Sequence, residues 1–186
     1  MMGIRTAFNP MGGSVKAQFD EDFVLLNTQT PGDYPFSLNV GGVFDFVLVG
    51  AGGGGYGDYF SAPAGSSGAA FEGEVFLAKG DYVARVGQAS HGNGTATVLL
   101  KDGVQLITAG GGASRSGAPG TLTISPDCQV IEIRVASNGR QGGHWSTGAS
   151  VSTTGWGRGG PAVSSYGGGT SSGESGGAII KYKRKK

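Results

Sequence analysis

Short apolar runs, most of them alternating with polar residues, recur along the chain and stop at glycine, proline or Asp-Gly. Phe23-Val24-Leu25-Leu26 is the first strand candidate, after a weakly alternating Ser14–Phe19. A turn is expected at Pro31-Gly32, and Phe36, Leu38 and Val40 then share one face of an extended segment. Val43–Val49 (VFDFVLV) is too apolar for a free surface and predicts a buried strand. Ala69–Leu77 and Tyr82–Val86 read as a hairpin around Lys79-Gly80-Asp81, and Gly73 inside the first predicts a bulge or a close backbone approach. Thr95–Leu100 and Val104–Thr108 flank Lys101-Asp102-Gly103, a strong hairpin signal. Thr121–Ile124 ends before Pro126. In Val130–Val135 the alternation puts Val130, Glu132 and Arg134 on one face and Ile131, Ile133 and Val135 on the other, which predicts that the charged face is the solvated one. Ile179 and Ile180 need cover, so Gly177–Tyr182 is expected to pair back as a final strand. No stretch carries both caps and an apolar stripe of helical period. The expected fold is mainly β, an antiparallel sandwich-like domain.

Glycine changes this picture. The chain has 39 glycines in 186 residues, about three times the usual share. They gather in runs at 50–57, 65–68, 110–112, 139–143, 155–160, 167–169 and 173–177. Ordering glycine costs more backbone entropy than ordering any other residue. An ordered run must recover that cost through hydrogen bonds and close packing. Polyglycine-II-like segments, extended and bonded laterally because no side chain holds them apart, would do so. Flexible linkers are the alternative, but linkers rarely carry Tyr, Trp and Phe at this frequency. No strict collagen period is present.

Charge and composition remove several classes. Only 15% of residues are charged and the net charge is +1, a weak footprint for nucleic-acid binding despite the basic end Lys183-Arg184-Lys185-Lys186. That end fits a solvated terminus or an acidic subunit surface. The single cysteine, Cys128, cannot close an intramolecular disulfide and reads as a strand-edge or buried thiol. His91 and His144 lie far apart, so no zinc spacing exists and no metal is expected. Gly50–Gly54 lacks the following helix of a dinucleotide loop, and Gly52–Gly57 lacks the Gly-Lys-Ser/Thr ending of a phosphate loop. No cofactor and no enzymatic activity are expected. Met1–Gly13 has no continuous apolar core of a secretory leader, and no run reaches the roughly 18 apolar residues of a membrane span.

Aromatic residues in the glycine-rich connections are the better lead. Tyr56, Tyr59, Phe60, Trp145, Trp156 and Tyr166 would offer rigid contact area to sugar faces or protein loops, or would cover the end of the domain. The expected organisation is a short attachment or first-strand region at 1–42, a glycine-rich β domain at 43–182 and a basic tail at 183–186.

FDFVLVGAGGGGYG, followed by SGAAFEGEVFLAKGDYVARVGQ, Gly94–Thr97 and Ala109–Gly112, resembles the glycine-rich domains of bacteriophage tail-fibre and tail-tip proteins. The resemblance covers about Val43 to Tyr182. It implies a virion protein in which packed glycine helices support variable loops that contact a host outer-membrane protein or a surface glycan. Those loops would be Tyr56–Phe60, His91–Asn93, Arg115–Ser116, Gln141–Thr147 and Gly155–Tyr166. The candidate receptor-binding residues are Tyr56, Tyr59, Phe60, His91, Asn93, Arg115, His144, Trp145, Trp156, Arg158 and Tyr166. Other virion subunits are expected partners, and a homotrimer fits such appendages. A purely structural virion role, in the capsid or in tail assembly, is the alternative.

Overall fold

The computed structural model describes residues 19, 22–57, 61–143, 148–163 and 169–184. Twelve strands build the domain, with no helix among the described residues. One antiparallel sheet contains β1 (Val24–Thr28), β12 (Gly177–Arg184), β3 (Gly42–Val49), β5 (Ala70–Leu77) and β10 (Gln129–Ser137), in that order. The other contains β2 (Gly32–Leu38), β6 (Gly80–Val86), β7 (Thr97–Lys101), β8 (Val104–Ala109) and β9 (Leu122–Ile124). A two-stranded piece joins β4 (Gly55–Gly57) to β11 (Gly169–Ser171).

The two large sheets face each other across one core. Phe44, Phe46 and Leu48 of β3 meet Phe71, Val75 and Leu77 of β5, Ile180 and Tyr182 of β12, and Leu99 and Ile107 from the opposite sheet. The apolar density of Val43–Val49 follows from its position, since β3 is flanked by β12 and β5 in the middle of its sheet. Phe36 of β2 stacks on its cross-strand partner Tyr82 with centroids 5.3 Å apart. At the end where the described chain begins, Phe19 stacks on Phe23 at 5.0 Å and meets Phe44 edge-on. Of Ser14–Phe19, only Phe19 lies within the described residues.

Several elements match the sequence pattern. The β7–β8 hairpin turns at Asp102 and Gly103, whose φ angles of +50° and +80° are the left-handed pair that such a turn requires. A side chain on Gly73 would overlap the carbonyl oxygen of Glu132, and the β5–β10 register shifts on either side of that contact. The final strand lies between β1 and β3, covering Ile180 completely.

Others differ. β5 and β6 do not form a hairpin; they belong to opposite sheets, and the Ala78–Lys79 connection crosses the end of the sandwich. β5 pairs with β3 and β10 while β6 pairs with β2 and β7, so their apolar faces reach the core from opposite sides. β10 departs from strict alternation. Its two register shifts break the period, and as an edge strand it leaves Ile131 and Ile133 exposed at 44% and 55%. Glu132 and Arg134 are exposed as expected, with Arg134 paired to Asp45, so both faces of the strand meet solvent. Of the two alternatives for 1–42, residues 24–38 follow the first-strand one, supplying a strand to each sheet, and Pro35 is accommodated because β2 is an edge. Lys183 and Arg184 continue β12, with Arg184 bound to Glu74 at 2.9 Å.

Within the described residues the glycine runs are hydrogen-bonded to one another and stack on one end of the sandwich as continuations of its strands. Beyond β3, successive amides turn to three different neighbours: Gly50 donates to Ala69, Ala51 to Thr95 and Gly52 to Glu174. The next two, Gly53 to Ser66 and Gly54 to Gly92, return to the first and second neighbours three residues on. That repeat of three is the period of the polyproline-II helix, which has no internal hydrogen bonds and here bonds outward in three directions. The segment before β5 repeats it. Ala64 and Ser67 donate to Gly143 and Arg140, Gly65 and Gly68 to Gly160 and Gly157, and Ser66 and Ala69 to Ala113 and Gly110, all at 2.8–3.0 Å. As the donor number rises by three the acceptor number falls by three, so neighbouring segments run antiparallel. Added side chains on Gly50, Gly53, Gly65, Gly68, Gly94, Gly111 and Gly112 would all overlap neighbouring backbone. The residues between are small and fully buried: Ala51, Ala62, Ala64, Ser66, Ser67 and Ala69.

Candidate functional site

The glycine layer gives the molecule two unlike ends. Described residues Asp22 and Arg184 lie at the sandwich end, where the Asp22 amide donates to Tyr182. The layer continues the strands away from them. From Gly50 to Tyr56 it rises by about 19 Å at the ~3.1 Å per residue of this helix type.

Four of the sequence-selected residues meet at its far end, and Gly54 explains how. The Gly54 amide donates to Gly92 O at 2.8 Å, bringing the His91–Asn93 turn alongside, while the Arg115 amide donates to Gly54 O at 3.1 Å. The Arg115 guanidinium lies over the Tyr56 ring, 4.2 Å from its centroid. Arg115 and Ser116 hold φ angles of +53° and +56°, a conformation that costs a non-glycine residue energy. The Ser116 amide donates to Ala64 O at 2.8 Å, and the Gln141 side chain donates to Ser116 O at 2.6 Å. The Asn93 side-chain oxygen accepts the Ser114 amide at 2.9 Å, and the Ser90 hydroxyl donates to Asn93 O. His91 is exposed, with both ring nitrogens 3.4 Å from the Ser172 hydroxyl. Tyr56 is half-buried; His91, Asn93 and Arg115 are exposed.

The result is a rigid polar surface with one aromatic ring, built on backbone whose hydrogen bonds are already made. A guanidinium, an imidazole and an amide face solvent, and Tyr56 supplies a ring face covered on one side by Arg115.

Trp156 and Arg158 do not belong to this group. Gly157 abuts Gly50, and the Trp156 ring lies across Gly177 at the start of β12, so both residues sit on the flank where glycine layer and sandwich join. Their loop is anchored on Glu72, which is 4% exposed and points out of the opposite face of β5 from Phe71. The Glu72 carboxylate accepts the Thr153 amide and hydroxyl at 2.7 Å each and the Ser152 hydroxyl at 2.9 Å. The Ser150 hydroxyl then donates to Trp156 O at 2.6 Å. Gly155 and Gly157, with φ of +78° and +66°, turn the chain on either side of the tryptophan. Tyr59, Phe60, His144, Trp145 and Tyr166 lie outside the described residues.

Sequence reading missed Glu72, whose role needs the loop that returns about eighty residues later. It also passed over Gln29 and Glu174, which border an open cleft beside Trp156. A lone carboxylate within Ser172-Gly173-Glu174-Ser175-Gly176 was the available signal. Compared with known proteins, the chain matches no protein-family model and no curated sequence.

Proposed function

We propose that the chain is a receptor-binding protein of a bacteriophage tail fibre or tail tip, carried on the virion, with the far end of the glycine layer as its contact surface. The observation that carries this reading is the meeting of Tyr56, His91, Asn93 and Arg115 at the end remote from Asp22 and Arg184. A scaffold without bulky side chains holds these turns through backbone hydrogen bonds, supplemented by the side chains of Ser90, Asn93 and Gln141. Side chains in those turns can then vary without disturbing the core, which suits recognition of a changing host surface. The partner would be an outer-membrane protein or a surface glycan of the host.

A purely structural role in the virion is the second reading. Ile131 and Ile133 on the β10 edge favour it, since an unpaired strand edge with exposed apolar residues suits contact with another subunit.

Antibody against the chain, applied to particles from the source lysate, separates the two. The receptor-binding reading expects label at the distal end of tail fibres and blocked attachment to host cells. Label distributed over the capsid or tail tube, with attachment undisturbed, would contradict it.

A further inference from the structure

On the flank of the molecule an open cleft of about 480 Å³ is bordered by Gln29, Thr154, Trp156, Arg158, Glu174 and Ser175. Its size falls within the range of about 300–1,000 Å³ typical of small-ligand sites. We propose that this cleft binds a neutral pyranose sugar, with Trp156 as the platform and Gln29, Arg158 and Glu174 as partners of its hydroxyl groups. The proposal rests on the receptor-binding reading for its biological use, and adds to it a glycan subsite apart from the Tyr56 end.

Three observations support it. First, Trp156 is fixed before any ligand arrives: its ring lies against Gly177, its amide donates to Thr154 Oγ1 at 3.3 Å, and its carbonyl accepts from Ser150. A half-buried indole held this way presents a flat apolar surface suited to the C–H face of a pyranose ring. Second, the backbones of Arg158 and Glu174 are paired, the Glu174 amide donating to Arg158 O at 2.8 Å, while Glu174 O accepts from Gly52. The two side chains therefore leave a rigid base at adjacent positions. Third, the side chains of Gln29, Arg158 and Glu174 are exposed and make no hydrogen bond or ion pair among the described residues. They offer a guanidinium that only donates, a carboxylate that only accepts and an amide that does both. Adjacent sugar hydroxyls, each donor and acceptor, match that set. The opposite charges of Arg158 and Glu174 offset each other, which favours a neutral sugar over an anionic one.

The test is saturation-transfer NMR on the full chain with methyl glycosides of glucose, galactose, mannose and N-acetylglucosamine at millimolar concentration. Transfer to ring C–H protons of at least one glycoside is expected. Arg158→Ala with Glu174→Ala should weaken it at least about tenfold, a loss of roughly 1.4 kcal/mol; these exposed side chains hold nothing else in place. Trp156→Phe should retain weakened binding and Trp156→Ala should abolish it. No transfer to any glycoside, or transfer undiminished in the double variant, overturns the proposal. Attachment of the double variant to host cells separates the two readings: lost sugar binding with normal attachment removes the subsite's part in attachment and leaves the receptor-binding reading standing. Sugar binding by a chain absent from the fibre tip removes the latter alone.

Discussion

Gly65 and Gly53 pass so closely that a methyl group on Gly65 would overlap the Gly53 carbonyl oxygen, while the Gly53 amide donates to the next residue, Ser66, at 2.9 Å. The hydrogen bond and the missing side chain depend on each other. Gly65→Ala must push two hydrogen-bonded segments apart, and each is tied to further neighbours, so the displacement spreads. A loss of about 3 kcal/mol or more is expected in urea unfolding, at or beyond the upper end of ordinary overpacking. Gly92→Ala is the control. Its added carbon would meet only the Ser90 hydroxyl, at 3.5 Å, and its cost should stay within about 0.5 kcal/mol. Equal costs would contradict the packing argument.

The Tyr56–Arg115 contact should behave as an exposed cation–π pair. A double-mutant cycle of Tyr56→Ala and Arg115→Ala, followed by thermal unfolding, is expected to give a coupling of about 0.5–1 kcal/mol. The same variants should keep the fold and lose host-cell attachment. Zero coupling would mean that the guanidinium does not rest on the ring in solution.

Glu72 should hold the Trp156 loop. Its carboxylate takes three hydrogen bonds from Ser152 and Thr153 in a buried position. Glu72→Ala removes their common acceptor and is expected to cost about 2–4 kcal/mol, with Glu72→Gln retaining part of the stability. Tryptophan fluorescence should shift in Glu72→Ala, because Trp156 follows the loop. An unchanged spectrum with unchanged stability would contradict the anchoring role.

How much of this was legible in the sequence depends on the range of the interaction. Val43–Val49, the Asp102-Gly103 turn and the Gly73 contact are local, and alternation or turn chemistry reveals them. The three-residue hydrogen-bond period was foreseen as a class of structure, but not which runs neighbour which, because glycine carries no side-chain pattern to encode register. The same lack of pattern hid the cleft: Gln29 and Glu174 converge only through backbone pairing between distant segments. In β10 the alternation marks the solvated charged face correctly, but two bulges and an edge position leave Ile131 and Ile133 uncovered as well.

Stability should fall on the alkaline side. Burial pushes the Cys128 thiol from 9.0 up to about 11. The Tyr82 hydroxyl, which donates to Ala78 O at 2.8 Å, is raised from 10.0 to about 12, mainly by burial and then by the charges of Asp102 and Cys128. In both cases the folded chain keeps its proton to a higher pH than the unfolded chain. Between those values the unfolded state binds fewer protons, so raising the pH favours unfolding. The contribution of these two groups is full below about pH 9 and is lost from there to about pH 12. Thermal unfolding across that window should show the decline, and Tyr82→Phe should reduce the part above pH 10. A flat profile would contradict the burial of both groups.

Amide hydrogen exchange resolved to single residues reads the lateral hydrogen bonds of the glycine layer one by one. Gly50, Gly53, Gly65, Ser66, Gly68 and Ala69, each donating to a neighbouring segment, are expected to exchange as slowly as the amides of Phe46 and Leu48 in β3. Exchange at random-coil rates throughout 50–54 and 64–69, beside a protected β3, would contradict the ordered layer and leave the glycine runs as linkers.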